Sequence, residues 1–215
     1  MTTTDLGLVH RFEPGTAERG RERAPLLLLH GTGGDESDLL PLGRMVAPGA
    51  TLLSPRGPVL ENGMPRFFRR LAEGVFDEAD LHRRAHELAD FVAAARAAYG
   101  IGAPVALGFS NGANIAAATM LLRPETFAGA ALLRPMLPFA HAEAGADLAG
   151  RPVLMLSGAL DPIVPEASAA GLADLLARSG AAVEHRRLPA GHGLSQADVT
   201  LVQAWLARGS VPAAA

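Results

Sequence analysis

Four leucines in a row, Leu26 to Leu29, stand between Pro25 and Gly31. So short an unbroken apolar run does not suit a strand with one wet face. It suits a strand covered on both sides, as in parallel sheets. The same kind of segment recurs along the chain. Leu6 to Phe12, Thr51 to Leu53, Val105 to Phe109, Phe127 to Leu133, Val153 to Leu156 and Val183 to Leu188 all read as strands. Between them the apolar period changes to that of helices. Ser37 to Val46 reads as a short helix. From Asp80 the residues Leu81, Ala85, Leu88, Val92, Ala95 and Tyr99 share one face, and Gly100 stops the helix. Ile115 to Leu122, Ala167 to Ala177 and Asp198 to Arg208 complete the set. Ser195 and Asp198 have capping-box spacing at the start of the last helix. Strands alternating with helices specify an α/β fold, with a mostly parallel central sheet wrapped on both faces.

Two segments break the alternation. Pro14 to Arg23 reads as a turn, and Pro55 to Phe76 is irregular, rich in Gly, Pro and Arg. A connection as long as the second is uncommon in a compact domain unless it serves a function. A lid over a site is one such role. With 215 residues and no repeat, linker or boundary, the expectation is one domain over residues 1–215, with only Ser210 to Ala215 loose.

Composition narrows the function classes. The net charge of −3 argues against a general binder of nucleic acid or anionic membranes. All 19 basic residues are arginine, and cysteine is absent, which removes disulfides, thiolate metal sites and a cysteine nucleophile. Met1 to Asp5 lacks the basic and apolar regions of a secretory leader, and the longest apolar run, Ile115 to Leu122, is far short of a membrane span. The expectation is a cytoplasmic protein without membrane insertion.

Gly108-Phe109-Ser110-Asn111-Gly112 follows a strand and opens a helix. In that context a G-x-S-x-G sequence makes a sharp turn that lifts the serine oxygen above the sheet. A serine hydroxyl needs a base, and the base needs an orienting carboxylate. Downstream, Asp161 follows the strand Val153 to Leu156, and His192 lies in a glycine-flanked loop between the last strand and the last helix. Ser110, Asp161 and His192 thus come in the chain order serine, acid, histidine, each at a strand's C-terminal end, where open α/β sheets bind ligands. His30-Gly31-Thr32-Gly33-Gly34 follows the leucine strand. The backbone N–H groups of Thr32 and Asn111 are the expected donors to an oxyanion.

These segments, with Asp161-Pro162-Ile163-Val164-Pro165 and Gly191-His192-Gly193, resemble the bacterial carboxylesterase/phospholipase branch of the α/β-hydrolase superfamily, which includes the acyl-protein thioesterases. The resemblance covers nearly the whole chain. It implies an α/β-hydrolase fold with little or no cap domain, and hydrolysis of carboxylic esters by Ser110, His192 and Asp161. It implies no cofactor and no metal, a small-molecule ester as partner, and at family level a homodimer. The thioesterases usually carry H-G-L-G-D and G-F-S-Q-G where this chain has Thr32, Gly34 and Asn111. A serine carboxylesterase acting on small esters is therefore the leading expectation. A thioesterase or lysophospholipase with the same machinery, and a non-catalytic binding protein on the same frame, are the alternatives.

Other residues have plainer readings. His30 reads as a structural residue that fixes the Gly-rich loop, rather than as a proton donor. His82 and His86 have metal-like spacing but read as a solvated helix face. Asp35 and Asp38 read as a turn and a helix start. Met64, Phe67 and Phe68 are either ordinary core or the wall of an acyl pocket, and Ile163 and Leu194 are wall candidates by position. The arginines near Arg56 and Arg66 leave selection of an acidic substrate open.

Overall fold

The computed structural model describes residues 6–16, 23–140 and 145–208. The expected loose tail lies outside them, as does part of the turn expected over Pro14 to Arg23. Seven strands form one sheet: β1 (His10–Glu13), β2 (Leu26–Leu29), β3 (Leu52–Pro55), β8 (Val105–Phe109), β9 (Gly129–Leu133), β10 (Pro152–Gly158) and β11 (Ala182–Leu188). Their order is β1-β3-β2-β8-β9-β10-β11. Only β1 runs antiparallel to its neighbour; the other pairings are parallel. The helices are α1 (Leu40–Val46), α2 (Glu78–Tyr99), α3 (Asn111–Leu122), α4 (Glu166–Arg178) and α5 (Gln196–Ala207).

The period of two along the strands sorts the core into two layers. Leu27, Leu29, Leu53, Ala106, Leu132, Val153 and Met155 face α2, α3 and α4. Leu26, Leu28, Leu52, Leu107, Leu133, Leu154 and Leu156 face α1 and α5. All four leucines of β2 are at most 1% exposed. Burying each contributes about 1.5–3 kcal/mol.

Some boundaries differ from the sequence expectation, each for a local reason. The helix expected from Ser37 begins at Leu40, because the Asp35 carboxylate accepts the Ser37 N–H (2.7 Å) and holds a turn there. Helix α2 begins before Asp80, because the Asp77 side chain caps it by accepting the Asp80 N–H (3.0 Å). Gly100, at φ 64, ends it as expected.

The irregular segment after β3 is two small hairpins, β4 (Val59–Glu61) with β5 (Met64–Arg66) and β6 (Arg70–Ala72) with β7 (Val75–Phe76). Asn62 and Gly63 both have positive φ, 52 and 79, as the tight two-residue hairpin turn requires. Among the described residues there is no separate helical cap and no helix long and apolar enough to cross a membrane.

The chain leaves β2 toward β3 on one side and returns to β8 on the other. That reversal opens a crevice at the C-terminal ends of β2 and β8, where the serine turn and the Gly-rich loop both lie. The two-sided core makes a clear prediction for Leu28, which packs between the sheet and α1. Leu28→Ala should lower the unfolding free energy in urea by about 2–5 kcal/mol. Leu160→Ala, at a side chain 74% exposed, should stay within about 0.5 kcal/mol of the parent.

Candidate active site

Ser110 occupies the turn between β8 and α3 at φ 51 and ψ −114, a backbone region that costs a non-glycine residue roughly 1–3 kcal/mol. The neighbouring glycines allow it. A β-carbon on Gly112 would lie 1.9 Å from the Leu29 carbonyl oxygen, and one on Gly108 would lie 2.6 Å from that of Gly112. The Ser110 N–H is tied to the Leu133 carbonyl (2.8 Å), and its own carbonyl accepts the Asn114 N–H (3.0 Å) at the start of α3. The strain is therefore held from both sides.

The three residues expected to act together do meet. The Ser110 hydroxyl lies 2.9 Å from His192 Nε2, and His192 Nδ1 lies 2.9 Å from Asp161 Oδ2. The other Asp161 oxygen accepts the N–H groups of Ile163 (2.8 Å) and Val164 (3.1 Å). Burial pushes the Asp161 carboxyl up, but the bonds from Ile163, His192 and Val164 outweigh it and hold the group below the usual carboxylate range. An ionised Asp161 accepts only, so His192 Nδ1 carries the proton and Nε2 is free to accept from the serine. That alignment is the one needed to draw a proton from a hydroxyl nucleophile.

The loop after β2 is fastened to the segment 57–67. Among the described residues, neither Thr32 N–H nor Asn111 N–H is spent on a protein acceptor. Next to them the Gly33 N–H donates to the Pro65 carbonyl (3.0 Å), and the Thr32 hydroxyl accepts from Arg66 (2.8 Å). The Asn111 side-chain oxygen accepts the Phe67 N–H (2.7 Å). Sequence reasoning identified neither Arg66 nor the Asn111 side chain as a fastener. The Asn62-Gly63 dipeptide is a hairpin signal that would have paired Val59 with Arg66, but it carries no information on where the hairpin docks.

His30 is buried and bridges two backbones. Its Nδ1–H donates to the Gly31 carbonyl (2.7 Å), and its Nε2 accepts the Gly57 N–H (2.9 Å). Burial lowers its pKa, countered in part by the Gly31 carbonyl. This is the structural role expected from the sequence.

The wall candidates divide. Met64, Ile163 and Leu194 are 42%, 38% and 39% exposed, and the Met64 sulfur lies over the Gly33 backbone. Phe67 and Phe68 are core: they are 2% and 0% exposed, with the first ring against His30 and the second edge-on to Phe76. The pocket-wall reading of these two phenylalanines is corrected, because neither ring has surface left to offer a substrate.

The arginines near the site are engaged within the protein. Arg56 grips Glu36 with two bonds, Arg66 and Arg70 share Glu61, and Arg69 pairs with Asp77. Asp35 holds its turn as expected. The His82 and His86 rings lie 5.0 Å apart. No group of three His, Cys, Asp or Glu among the described residues could hold a metal ion.

Two outcomes follow from this geometry. Ser110→Gly should be more stable than Ser110→Ala by about 1–3 kcal/mol in urea unfolding, because glycine relieves the positive φ. His30, lowered in the folded state, takes up its proton more readily in the unfolded chain. Its contribution is complete above about pH 6.5 and is lost as the pH falls through the folded pKa. The urea midpoint should therefore drop between pH 8 and pH 5. His30→Asn, less stable at pH 8, should show a shallower drop.

The Phospholipase/Carboxylesterase family model matches residues 16–209. MhqD of Bacillus subtilis (strain 168) is 45% identical over 198 residues, covering 91% of this chain and 96% of that protein. A carboxylesterase from Bacillus cereus superposes with a TM-score of 0.90 at 43% identity, over 95% of both chains. One from Mesorhizobium loti gives 0.88 at 37% identity, over 95% of this chain and 97% of that one. With a parallel sheet that carries a strained serine at its switch point, the chain belongs to the phospholipase/carboxylesterase family of the α/β-hydrolase superfamily.

Proposed function

We propose that this hydrolase is a serine carboxylesterase that cleaves small carboxylic esters through an acyl-enzyme. The observation that carries the reading is the unbroken line from Ser110 through His192 to Asp161, with both links at 2.9 Å. In this reading the Ser110 oxygen attacks the ester carbonyl while His192 Nε2 takes its proton. Asp161 keeps the imidazole in the tautomer that can accept and steadies the imidazolium that results. The Thr32 and Asn111 N–H groups receive the developing oxyanion, each donor worth roughly 10²–10³ in rate. His192 returns the proton to the leaving alcohol. It then draws a proton from water, which attacks the acyl group and frees Ser110.

Met64, Ile163 and Leu194 are the side chains assigned to substrate contact. Their exposed apolar surfaces beside the Gly-rich loop, Asp161 and His192 suit a compact acyl or alcohol group. The internal pairing of Arg56, Arg66, Arg69 and Arg70 favours an uncharged ester over an acidic one. The reading takes residues 1–215 as one domain that works without a cofactor.

The test is a matched panel of nitrophenyl esters and acyl thioesters of rising chain length, with Ser110→Ala beside the parent. Turnover should favour short oxygen esters and fall about 10³-fold or more in Ser110→Ala. Activity that rises with chain length, or a thioester preference, would replace the small-ester assignment with the thioesterase or lysophospholipase reading. A ligand bound tightly and recovered unchanged, with no turnover, would point to a binding protein.

A further inference from the structure

We propose that Arg134 is a positioning residue for His192. It follows β9 directly and is completely buried, at φ 56. Its guanidinium is fully used. Nε donates to the Gly191 carbonyl (2.9 Å), and Nη2 donates to the Gly193 carbonyl (3.1 Å) and to Asp198 Oδ2 (2.9 Å). Nη1 donates to Asp198 Oδ1 (2.7 Å) and to the Leu156 carbonyl (3.3 Å). Five bonds match the five N–H donors of the side chain. Two of them grip the carbonyls of the residues on either side of His192, Gly191 and Gly193.

The loop needs such a grip. Glycines flank His192, so its backbone carries little stiffness of its own. A β-carbon on Gly193 would meet nothing within 4 Å, so packing does not restrain the loop on that side. The Arg134 guanidinium is in turn held by the bidentate pair with Asp198. The Asp198 carboxylate also accepts from the Ser195 N–H (2.8 Å) and hydroxyl (2.7 Å), which ties the clamp to the first turn of α5. The chain of restraint runs from α5 through Asp198 and Arg134 to the carbonyls beside His192, and so to the direction of Nε2. A buried ion pair by itself is weak evidence for stability, since apolar residues of similar size often serve as well. The two carbonyl bonds are what an apolar replacement cannot supply.

The proposal rests on the reading of Ser110 and His192 as nucleophile and base, and the test separates the two. The double variant Arg134→Met/Asp198→Leu replaces the ion pair with apolar bulk. Its melting temperature should stay within a few degrees of the parent. Its kcat per active site, counted by fluorophosphonate labelling, should fall by about 10²-fold with KM changed less than about threefold. The labelling of Ser110 should slow in parallel. The downfield NMR signal of the His192 Nδ1–H facing Asp161, sharp in the parent, should broaden or vanish. An unchanged kcat, a rise confined to KM, or an unaltered downfield signal in the folded variant would overturn the proposal. If the double variant does not fold, Arg134→Gly decides, since glycine accepts the positive φ. Millimolar guanidinium, but not methylammonium, should restore its kcat, and failure to do so in folded protein overturns the proposal. A parent protein that turns over no ester would refute the esterase reading alone, because the NMR signal and the Ser110 labelling rate still report on Arg134.

Discussion

Helix α3 starts so close to the end of β2 that position 112 has no room for a β-carbon: the Leu29 carbonyl oxygen would lie 1.9 Å away. Much of the site depends on this contact. It brings the N-terminus of α3 down onto the sheet at the point where strand order reverses. It goes with the positive-φ turn at Ser110, whose hydroxyl meets His192 Nε2. It also sets the start of α3 against the backbone that leaves β2, where a β-carbon on Gly112 would meet the His30 carbonyl oxygen as well. The strain at Ser110 persists because bonds to Leu133 and Asn114 hold it from opposite sides.

Around that fixed point, the remaining parts sit on flexible backbone and are fastened by polar side chains. The Gly-rich loop is tied to the segment 57–66 through His30 to Gly57, Gly33 to Pro65 and Thr32 to Arg66. The Asp161 carboxylate is anchored by the N–H groups of Ile163 and Val164, the two outermost restraints on the Ser110–His192–Asp161 line. Loops of this kind expose backbone donors and acceptors at a water-filled edge. Apolar packing alone cannot direct them, whereas a fork of N–H donors or a neutral imidazole can. Arg66 is 3% exposed and Arg134 0%, so each spends its charge on named partners within the protein.

The hydrophobic sequence made most of the framework legible. The strand Val105–Phe109 coincides to the residue with its apolar run, and the long helix buries the face that its apolar period marks. Boundaries slipped where side chains override apolar period, as with Asp35 at the short helix and Asp77 at the long one. The segment 55–76 was legible only as irregular, although Asn62-Gly63 marks its first turn. Phe67 and Phe68 show the limit of reading residue type. An aromatic pair in an irregular stretch is equally at home in a wall or in a core, and only the packing of the Phe67 ring against His30 and of the Phe68 ring against Phe76 decided for core.

By itself, then, the sequence determined the alternation of buried strands and helices, the two faces of the sheet, and the order of serine, acid and histidine at strand ends. Those features are local: each is written in apolar period, in glycine placement or in residue type along a few neighbouring positions. The tertiary structure decided the rest. It brought together residues as distant as Ser110, Asp161 and His192 at hydrogen-bonding range, matched Arg66 with Thr32, and joined Arg134 to both Asp198 and the carbonyls beside His192. An arginine's partner is set by which distant backbone the fold carries past it, and no local pattern records that.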